Sequence, residues 1–458
     1  MENQFAKRIN FLPVTLAILM LGTCILGMVR LYHLGDEAMS EATIAEKKAM
    51  SVAIDPELPY NSNVISSSQY QAFGNIVSSD GKILYSAAKR SAGSSFFNLI
   101  GEIHSDSANY VASAYKGELE NAYSIWKGLA VHKGDDLKLT IDSMIQDEVY
   151  HYMVENNING TAVAYNYLTG EILCMVSTPS ADISDMVNMK NLPEGALLNK
   201  NLYTTVPGST MKVVTLILAQ MQKVELDKLY YKCDKVYSLK QGGKIVCTGT
   251  HGIIGVEEAL GKSCNCYFAQ LVEKKLDLEQ AKEDLKRLGF CLDEESSGNL
   301  GLLSCKKSST KLTNKKEFDT VWAFLGQGMT MVNPVYMCQI AGVVAEYQNA
   351  KVPHLCSDEN VMNSKIPELI DMKKIATLWE SAFQTHYDMD IYGNDITAAK
   401  TGTAQLSQGR EQKTLMGYAR EKKVAFYIVV ENYLDTDGNS LKVLPVDVAK
   451  HLLQSMTR

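Results

Sequence analysis

Hydrophobic and polar positions change their period several times along this 458-residue chain, and each change marks an element. Residues 11–29, from Phe11 through Val29, carry no charge and are almost wholly apolar, the length a helix needs to cross bilayer hydrocarbon. Between Ile76 and Leu84, two short strand pieces flank Asp80-Gly81, a tight-turn pair. Leu137, Leu139 and Ile141 alternate with polar neighbours as a short strand, Asp142 or Ser143 can cap a helix, and helical spacing then runs to about Asn156. Residues 160–176 predict a hairpin that turns at Leu168-Thr169-Gly170. Pro207 and Gly208 punctuate the chain before the apolar run 211–221, which reads as a buried helix. Gly242-Gly243 predicts a hairpin turn between two further short strands. Residues 424–430 read as a buried central strand and 446–456 as a closing helix.

Strands and helices thus mix in an α+β pattern on a chain long enough for two substantial cores. Its expected divisions are a cytoplasmic tail at 1–10, a transmembrane anchor at 11–29, a small β-rich pedestal at 30–135, and one large domain at 136–458. Arg30-Leu31-Tyr32-His33 offers no small-residue cleavage site, so the apolar span is read as a retained anchor. Lys7 and Arg8 precede it, whereas Arg30 is soon diluted by Asp36, Glu37 and Glu41, which places the bulk of the chain outside the cytoplasm.

A net charge of −7 argues against a nucleic-acid partner, which would want a basic footprint. The lysines between Lys306 and Lys316 read as a solvated loop. Among ten cysteines, Cys233 and Cys247 are the best candidates for a disulfide, because they flank the Gly242-Gly243 turn; a reduced pair is equally open. No cysteine–histidine spacing resembles a zinc site, and Cys264-x-Cys266 is too short to chelate in the usual way, so neither a metal nor a cofactor is expected.

The candidate chemistry lies in three short strings. Serine three residues before lysine occurs seven times in the chain, so that spacing alone carries nothing. Ser209 and Lys212 stand apart because they open the buried helix after Pro207-Gly208. Residues three apart share a helix face, so the Lys212 amine can reach the Ser209 hydroxyl, a nucleophile beside its base. Ser263-Cys264-Asn265 comes next, in a loop before a helix at 266–274. Lys400-Thr401-Gly402 occurs once, after Ile396-Thr397-Ala398-Ala399, and reads as an edge strand.

In this order the three strings resemble the motif set of penicillin-binding proteins and serine β-lactamases. Other stretches resemble the class B penicillin-binding proteins. They are the opening at 74–84, with Phe73 and Ser79 standing where that family has arginines; Leu139-Thr140-Ile141-Asp142; and the run from Thr169 to Pro179. His251-Gly252 and Gly326-Gln327-Gly328 with Asn333-Pro334 belong to the same likeness, and His251 is read as structural. The resemblance runs from about Asp136 to the C-terminus. It implies an anchored pedestal carrying a penicillin-binding, β-lactamase-like transpeptidase domain, with a central antiparallel sheet flanked by helices.

The same resemblance implies roles. Ser209 is the acylated nucleophile and Lys212 its base, made neutral by burial and by the charge of Lys400. Ser263 relays a proton, and Asn265 holds the substrate amide and Lys212. Lys400, Thr401 and Thr403 bind a carboxylate, Gly402 lets substrate backbone approach closely, and the amides of Ser209 and Thr403 form the oxyanion site. After the third string, Thr414-Leu415-Met416-Gly417-Tyr418 departs from the aromatic pair frequent in relatives, which bears on substrate preference. The implied activity is D,D-transpeptidation of peptidoglycan stem peptides, with β-lactams as acylating inhibitors and membrane proteins of wall synthesis, a glycosyltransferase among them, as partners. A D,D-carboxypeptidase with the same acyl-enzyme, or a catalytically weak scaffold of a wall-synthesis complex, are the alternatives.

Overall fold

The computed structural model describes residues 74–86, 93–101, 105, 107–119, 134–182, 192–292, 296–347, 349–366, 370–434 and 438–457. The cytoplasmic tail, the span 11–29 and the pedestal up to Phe73 lie outside them. Among the described residues no helix is long and apolar enough to cross a membrane.

The Asp80-Gly81 turn joins strands β1 (Ile76–Val77) and β2 (Ile83–Tyr85), and β1 also pairs in parallel with β3 (Leu137–Lys138). Asp80 accepts from the Ser143 amide at 3.0 Å and its hydroxyl at 2.7 Å, which ties this turn to the start of the next helix. Helix α1 (Ser94–Ile100) buries Phe96, Leu99 and Ile100 in the same apolar cluster that holds the sheet and helices beyond Asp136. Asn98 donates to the Ser177 and Pro179 carbonyls, both at 3.1 Å. The described part of the segment before Asp136 therefore shares one core with the large domain, and all described residues belong to one compact unit, Ser68–Arg458.

Helix α2 (Ser143–Glu155) is capped by Asp142, whose carboxylate accepts from the Met144 and Ile145 amides. The expected hairpin comes next as β4 (Gly160–Asn166) and β5 (Ile172–Thr178). Helix α3 (Met211–Met221) is buried almost all round, as its unbroken apolar run demands. Strands β6 (Tyr231–Ser238) and β7 (Lys244–Ile254) form a separate hairpin around Gly242-Gly243, with both glycines at positive φ, near 93° and 90°. Helices α4 (Val256–Gly261), α5 (Asn265–Lys275), α6 (Pro334–Glu346) and α7 (Met372–His386) succeed it along the chain. The chain ends in β8 (Ala398–Gln405), β9 (Glu411–Ala419), β10 (Val424–Leu434) and α8 (Pro445–Ser455).

The main sheet is antiparallel throughout, in the order β8-β9-β10-β4-β5. The apolar run 424–430 lies in its central strand, where both faces are covered, and the polar-rich Lys400 string lies on its edge. Helix α6 lies over β10 and β4 and packs on α7, while α2 and α8 pack on each other and on β5 and β10. Helices thus flank a central antiparallel sheet, as the sequence resemblance implies, and the β8 edge faces the turn that opens α3.

Candidate active site

Gly208, Ser209 and Thr210 form a single tight helical turn that leads into α3. Three neighbours press on it. The Thr210 and Thr414 hydroxyls both donate to the Pro207 carbonyl at 2.8 Å. A side chain on Gly326, held at φ near 86°, would stand 1.8 Å from the Gly208 carbonyl oxygen. One on Gly402 would stand 2.1 Å from Thr414 Oγ1 and 2.5 Å from the Pro207 oxygen. The expectation that Gly402 makes room for substrate backbone is corrected here: the space left by its missing side chain is filled by the nucleophile's own turn and by Thr414. The Gly326-Gln327-Gly328 string also holds the edge strand, since Gln327 Nε2 donates to the Thr403 carbonyl at 2.8 Å.

Lys212, one turn on, is fully buried. Its amine donates to the Ser263 carbonyl at 2.7 Å, Ser263 Oγ at 3.2 Å and Asn265 Oδ1 at 2.7 Å, and lies 5.5 Å from the centre of the Phe268 ring. None of these bonds goes to Ser209, although the sequence spacing predicts that contact. The reason is the backbone of Ser263. It adopts a left-handed conformation, φ near 53°, in the bend between α4 and α5, which turns its carbonyl toward the lysine. Asn265, the first residue of α5, is oriented in turn by donating to the Val246 carbonyl at 2.9 Å. Burial, and then the positive charge of Lys400, push the Lys212 amine down to about 7. A substantial fraction is therefore neutral near neutral pH, as a base must be.

Lys400 is also fully buried, and burial pushes its amine down to about 7. It donates to the Thr401 carbonyl at 2.8 Å and to the Tyr387 hydroxyl at 3.3 Å. Thr401 directs its amide to the same hydroxyl at 3.4 Å, so the main-chain groups of Thr401 and Thr403 turn outward from β9. The Thr403 and Ser209 amide nitrogens both stand beside the contact between this edge and the nucleophile's turn, 2.8 Å and 3.3 Å from where side chains on Gly208 and Gly402 would begin. Thr403 Oγ1 accepts from Lys413 Nζ at 3.1 Å. Tyr387 closes this wall and escaped the sequence reading, because a tyrosine at the end of a helix belongs to no string. All five expected catalytic residues, Ser209, Lys212, Ser263, Asn265 and Lys400, come from three separate segments to one cleft.

Next to the Ser263 turn stands a cluster that the sequence reading missed. Cys233, Cys247, His251 and Cys264 bring one ligand atom each to within 4.8 Å of one another. The expectation of no metal-like cysteine–histidine set rests on short linear spacing. It is corrected by topology, since the β6-β7 hairpin folds over the start of α5. Cys233 and Cys247 are free thiols. The register sets Cys233 opposite Gly252, with irregularities after Cys233 and Asp234, and the bent end carries His251 between the two sulfurs. His251 thus stands beside Cys264, the middle residue of the second string.

The profile of the penicillin binding protein transpeptidase domain matches residues 160–450, more than half of the chain. The chain belongs to this family. Its class B membership agrees with relatives such as penicillin-binding protein 3 of Bacillus subtilis, 26% identical over 358 residues, covering 70% of this chain and 51% of that protein. Peptidoglycan D,D-transpeptidase PbpA of Mycolicibacterium smegmatis is 24% identical over 345 residues, 66% of this chain and 68% of that one. The chain thus spans about half to two thirds of the length of these relatives. Among solved structures, PBPA of Mycobacterium tuberculosis superposes with a TM-score of 0.70 at 20% identity, over 85% of this chain and all of that one. The same protein is also known as a penicillin G acyl-enzyme complex, with a TM-score of 0.70 at 19% identity. At such identities the likeness establishes the fold.

Proposed function

We propose that this protein is a serine D,D-transpeptidase that crosslinks peptidoglycan stem peptides, and that β-lactams acylate it. The observation that carries the reading is the meeting of Ser209, the buried Lys212 held by Ser263 and Asn265, and the buried Lys400 on the sheet edge. The donor would be a stem peptide ending in D-Ala-D-Ala. Ser209 Oγ attacks the penultimate carbonyl carbon while its proton passes to neutral Lys212 Nζ. The oxyanion draws on the Ser209 and Thr403 amides. The amide C–N bond then breaks, and the terminal D-Ala leaves as an amine that takes a proton through Ser263 Oγ. The amine of a neighbouring strand attacks the acyl ester, and Ser209 recovers its proton. Lys400, Thr401 and Thr403 hold the donor's terminal carboxylate. Residues 11–29 anchor the chain in the plasma membrane with the catalytic part outside the cytoplasm, near lipid-linked substrate and a glycosyltransferase partner.

The test is to offer a D-Ala-D-Ala peptide with an acceptor amine, and to map a penicillin adduct by mass spectrometry. A crosslinked product together with an adduct on Ser209, lost in Ser209→Ala, is the expected result. Free acid in place of crosslinked product would make the enzyme a carboxypeptidase, and absence of any adduct would leave a scaffold.

A further inference from the structure

The two hydroxyls expected to grip the donor's carboxylate are each backed by an amine. Along β8 the side chains alternate: Lys400, Gly402 and Ala404 are buried, Thr401 and Thr403 are half-buried, and Gln405 is exposed. Thr401 and Thr403 therefore share the more open face. A hydroxyl has one proton to give and two lone pairs to fill. The Tyr387 hydroxyl takes Lys400 Nζ at 3.3 Å and the Thr401 amide at 3.4 Å, which leaves its own proton for Thr401 Oγ1 at 3.4 Å. Thr403 Oγ1 takes Lys413 Nζ directly, at 3.1 Å. Each threonine is left with a proton to donate outward, the polarity that a carboxylate needs.

Lys413 belongs to none of the three strings. It stands directly opposite Thr403 in the β8-β9 register, where cross-strand side chains are neighbours. Its amine is fixed from two further sides, by Glu411 Oε1 at 2.8 Å and by the ring of Tyr433 on β10, whose centre lies 4.7 Å away. An ammonium has three protons and no lone pair, so toward Thr403 it can only donate. Among the described residues no acceptor takes the Thr403 proton in return. We propose that Lys413 is a positioning residue for the acyl donor's carboxylate, ordering the Thr403 hydroxyl so that its proton points into the cleft. This rests on the reading of Thr403 as a carboxylate ligand. Glu411 balances much of the Lys413 charge, so the directed hydrogen bond carries most of the effect. Lys413 bonds to neither Ser209 nor Lys212, and its influence therefore falls on capture of anionic ligands and not on the acyl transfer itself.

The experiment compares penicillin G with its methyl ester, which keeps the strained amide and lacks the charged carboxylate, on the purified full-length chain. In Lys413→Met the apparent affinity for penicillin G should weaken about tenfold, the scale of one hydrogen bond to a charged group. The limiting acylation rate should stay within about twofold, and the ester should be captured as by the wild type. Lys413→Arg, which can still donate to Thr403, should recover most of the loss. In a Thr403→Val background Lys413→Met should cost no more than about twofold further, because the lysine acts through that hydroxyl. The ester is the internal control for distortion, and Lys413→Ala is the second variant should Lys413→Met fail to fold. A loss shared equally by acid and ester, a fall in the limiting rate, or full additivity with Thr403→Val overturns the proposal. If the wild type forms its adduct on Ser209 and Lys413→Met behaves identically, the inference fails and the transpeptidase reading stands. A wild type that forms no adduct with either compound overturns that reading and this inference with it.

Discussion

Each of two walls of the cleft buries a lysine completely, and the two hold it by different means. On the α3 wall, Lys212 gives its hydrogen bonds to the Ser263 carbonyl, the Ser263 hydroxyl and the Asn265 side chain, all on a bend contributed by another segment. On the β8 wall, Lys400 folds back onto the carbonyl of its own neighbour, Thr401, and onto Tyr387. Burial lowers both amines to about 7, yet the surroundings suit different work. Two of the Lys212 partners are side chains, and the Ser263 hydroxyl can donate to the neutral amine and accept from it once a proton arrives from Ser209. The Lys400 contacts are anchored to an edge strand, where the amine in its protonated form supplies positive potential at a fixed place. With burial equal, the partners alone separate a proton carrier on one wall from an electrostatic post on the other, which works in its protonated form.

The strongest way to break this contrast is Lys212→Arg. A guanidinium stays protonated, so the variant keeps the charge and loses the base. Penicillin acylation should fall about 10³-fold, within the usual range for loss of a general base. In the wild type the rate should fall above about 7 as Lys400 loses its charge, and should rise toward about 7 with an inflection set by Lys212, because the active form pairs a neutral Lys212 with a protonated Lys400 and both amines are lowered to about 7. Lys212→Arg should lack that inflection. Stopped-flow acylation with a chromogenic cephalosporin across pH 5.5–9 reads both effects, and a near-wild-type rate in the variant would remove Lys212 from the mechanism.

Lys400→Gln tests the other wall. Loss of the charge should lower acylation by about 10²-fold, the scale of one lost electrostatic stabiliser, mainly through weaker capture of carboxylate-bearing β-lactams. The pH profile sharpens the comparison. Lys400 is the second cause of the lowered Lys212 pKa, so removing its charge eases protonation of Lys212 and the midpoint should move upward. A midpoint that moves down or stays put would mean that the two lysines do not sense each other.

How far the sequence reveals these walls depends on what each is made of. The nucleophile, its lysine and the edge string lie in runs of three or four residues whose periodicity also announces the helix and strand that carry them. Asp142 as a cap, the 160–178 hairpin and the apolar strand at 424–430 are legible for the same reason: each is a local pattern with a local cause. The partners that hold the lysines are harder to foresee. The Lys212 amine is turned by the left-handed backbone of Ser263, a conformation that no residue preference suggests. Gly402 looks like clearance for a ligand until Pro207, 195 positions earlier in the chain, is seen to fill the space. The four ligand-like atoms near Cys264 span 31 positions, from Cys233 to Cys264, and converge only because a hairpin with an irregular register bends over a helix start.

The contact between the walls can be tested at Gly402. In Gly402→Ala a methyl group would meet Thr414 Oγ1 at 2.1 Å and the Pro207 oxygen at 2.5 Å, so the strand and the nucleophile's turn must move apart. Overpacking of this kind costs about 2 kcal/mol. The melting temperature should drop, and if the same strain falls on the oxyanion amides, acylation should slow by about thirtyfold. Unchanged stability and rate would show that the two walls yield independently.

The smallest effect is expected at Tyr387, the residue that separates the post from the carrier most cleanly. Tyr387→Phe keeps the ring, and with it the packing against Phe383 and Tyr392, whose ring centres lie 5.0 Å and 4.9 Å away. It removes only the hydroxyl that accepts from Lys400 at 3.3 Å and from the Thr401 amide at 3.4 Å. Bonds this long contribute about 1 kcal/mol at most, so acylation should fall about fivefold with little change in melting temperature. The loss should appear in the apparent affinity for the β-lactam and not in the limiting acylation rate, because the Lys212 side of the cleft is untouched. In a Lys400→Gln background the same substitution should have a smaller further effect, limited to the hydroxyl's remaining contacts with Thr401. A fall in the limiting rate, or full additivity with Lys400→Gln, would assign Tyr387 a part of its own and end the division of labour drawn between the two lysines.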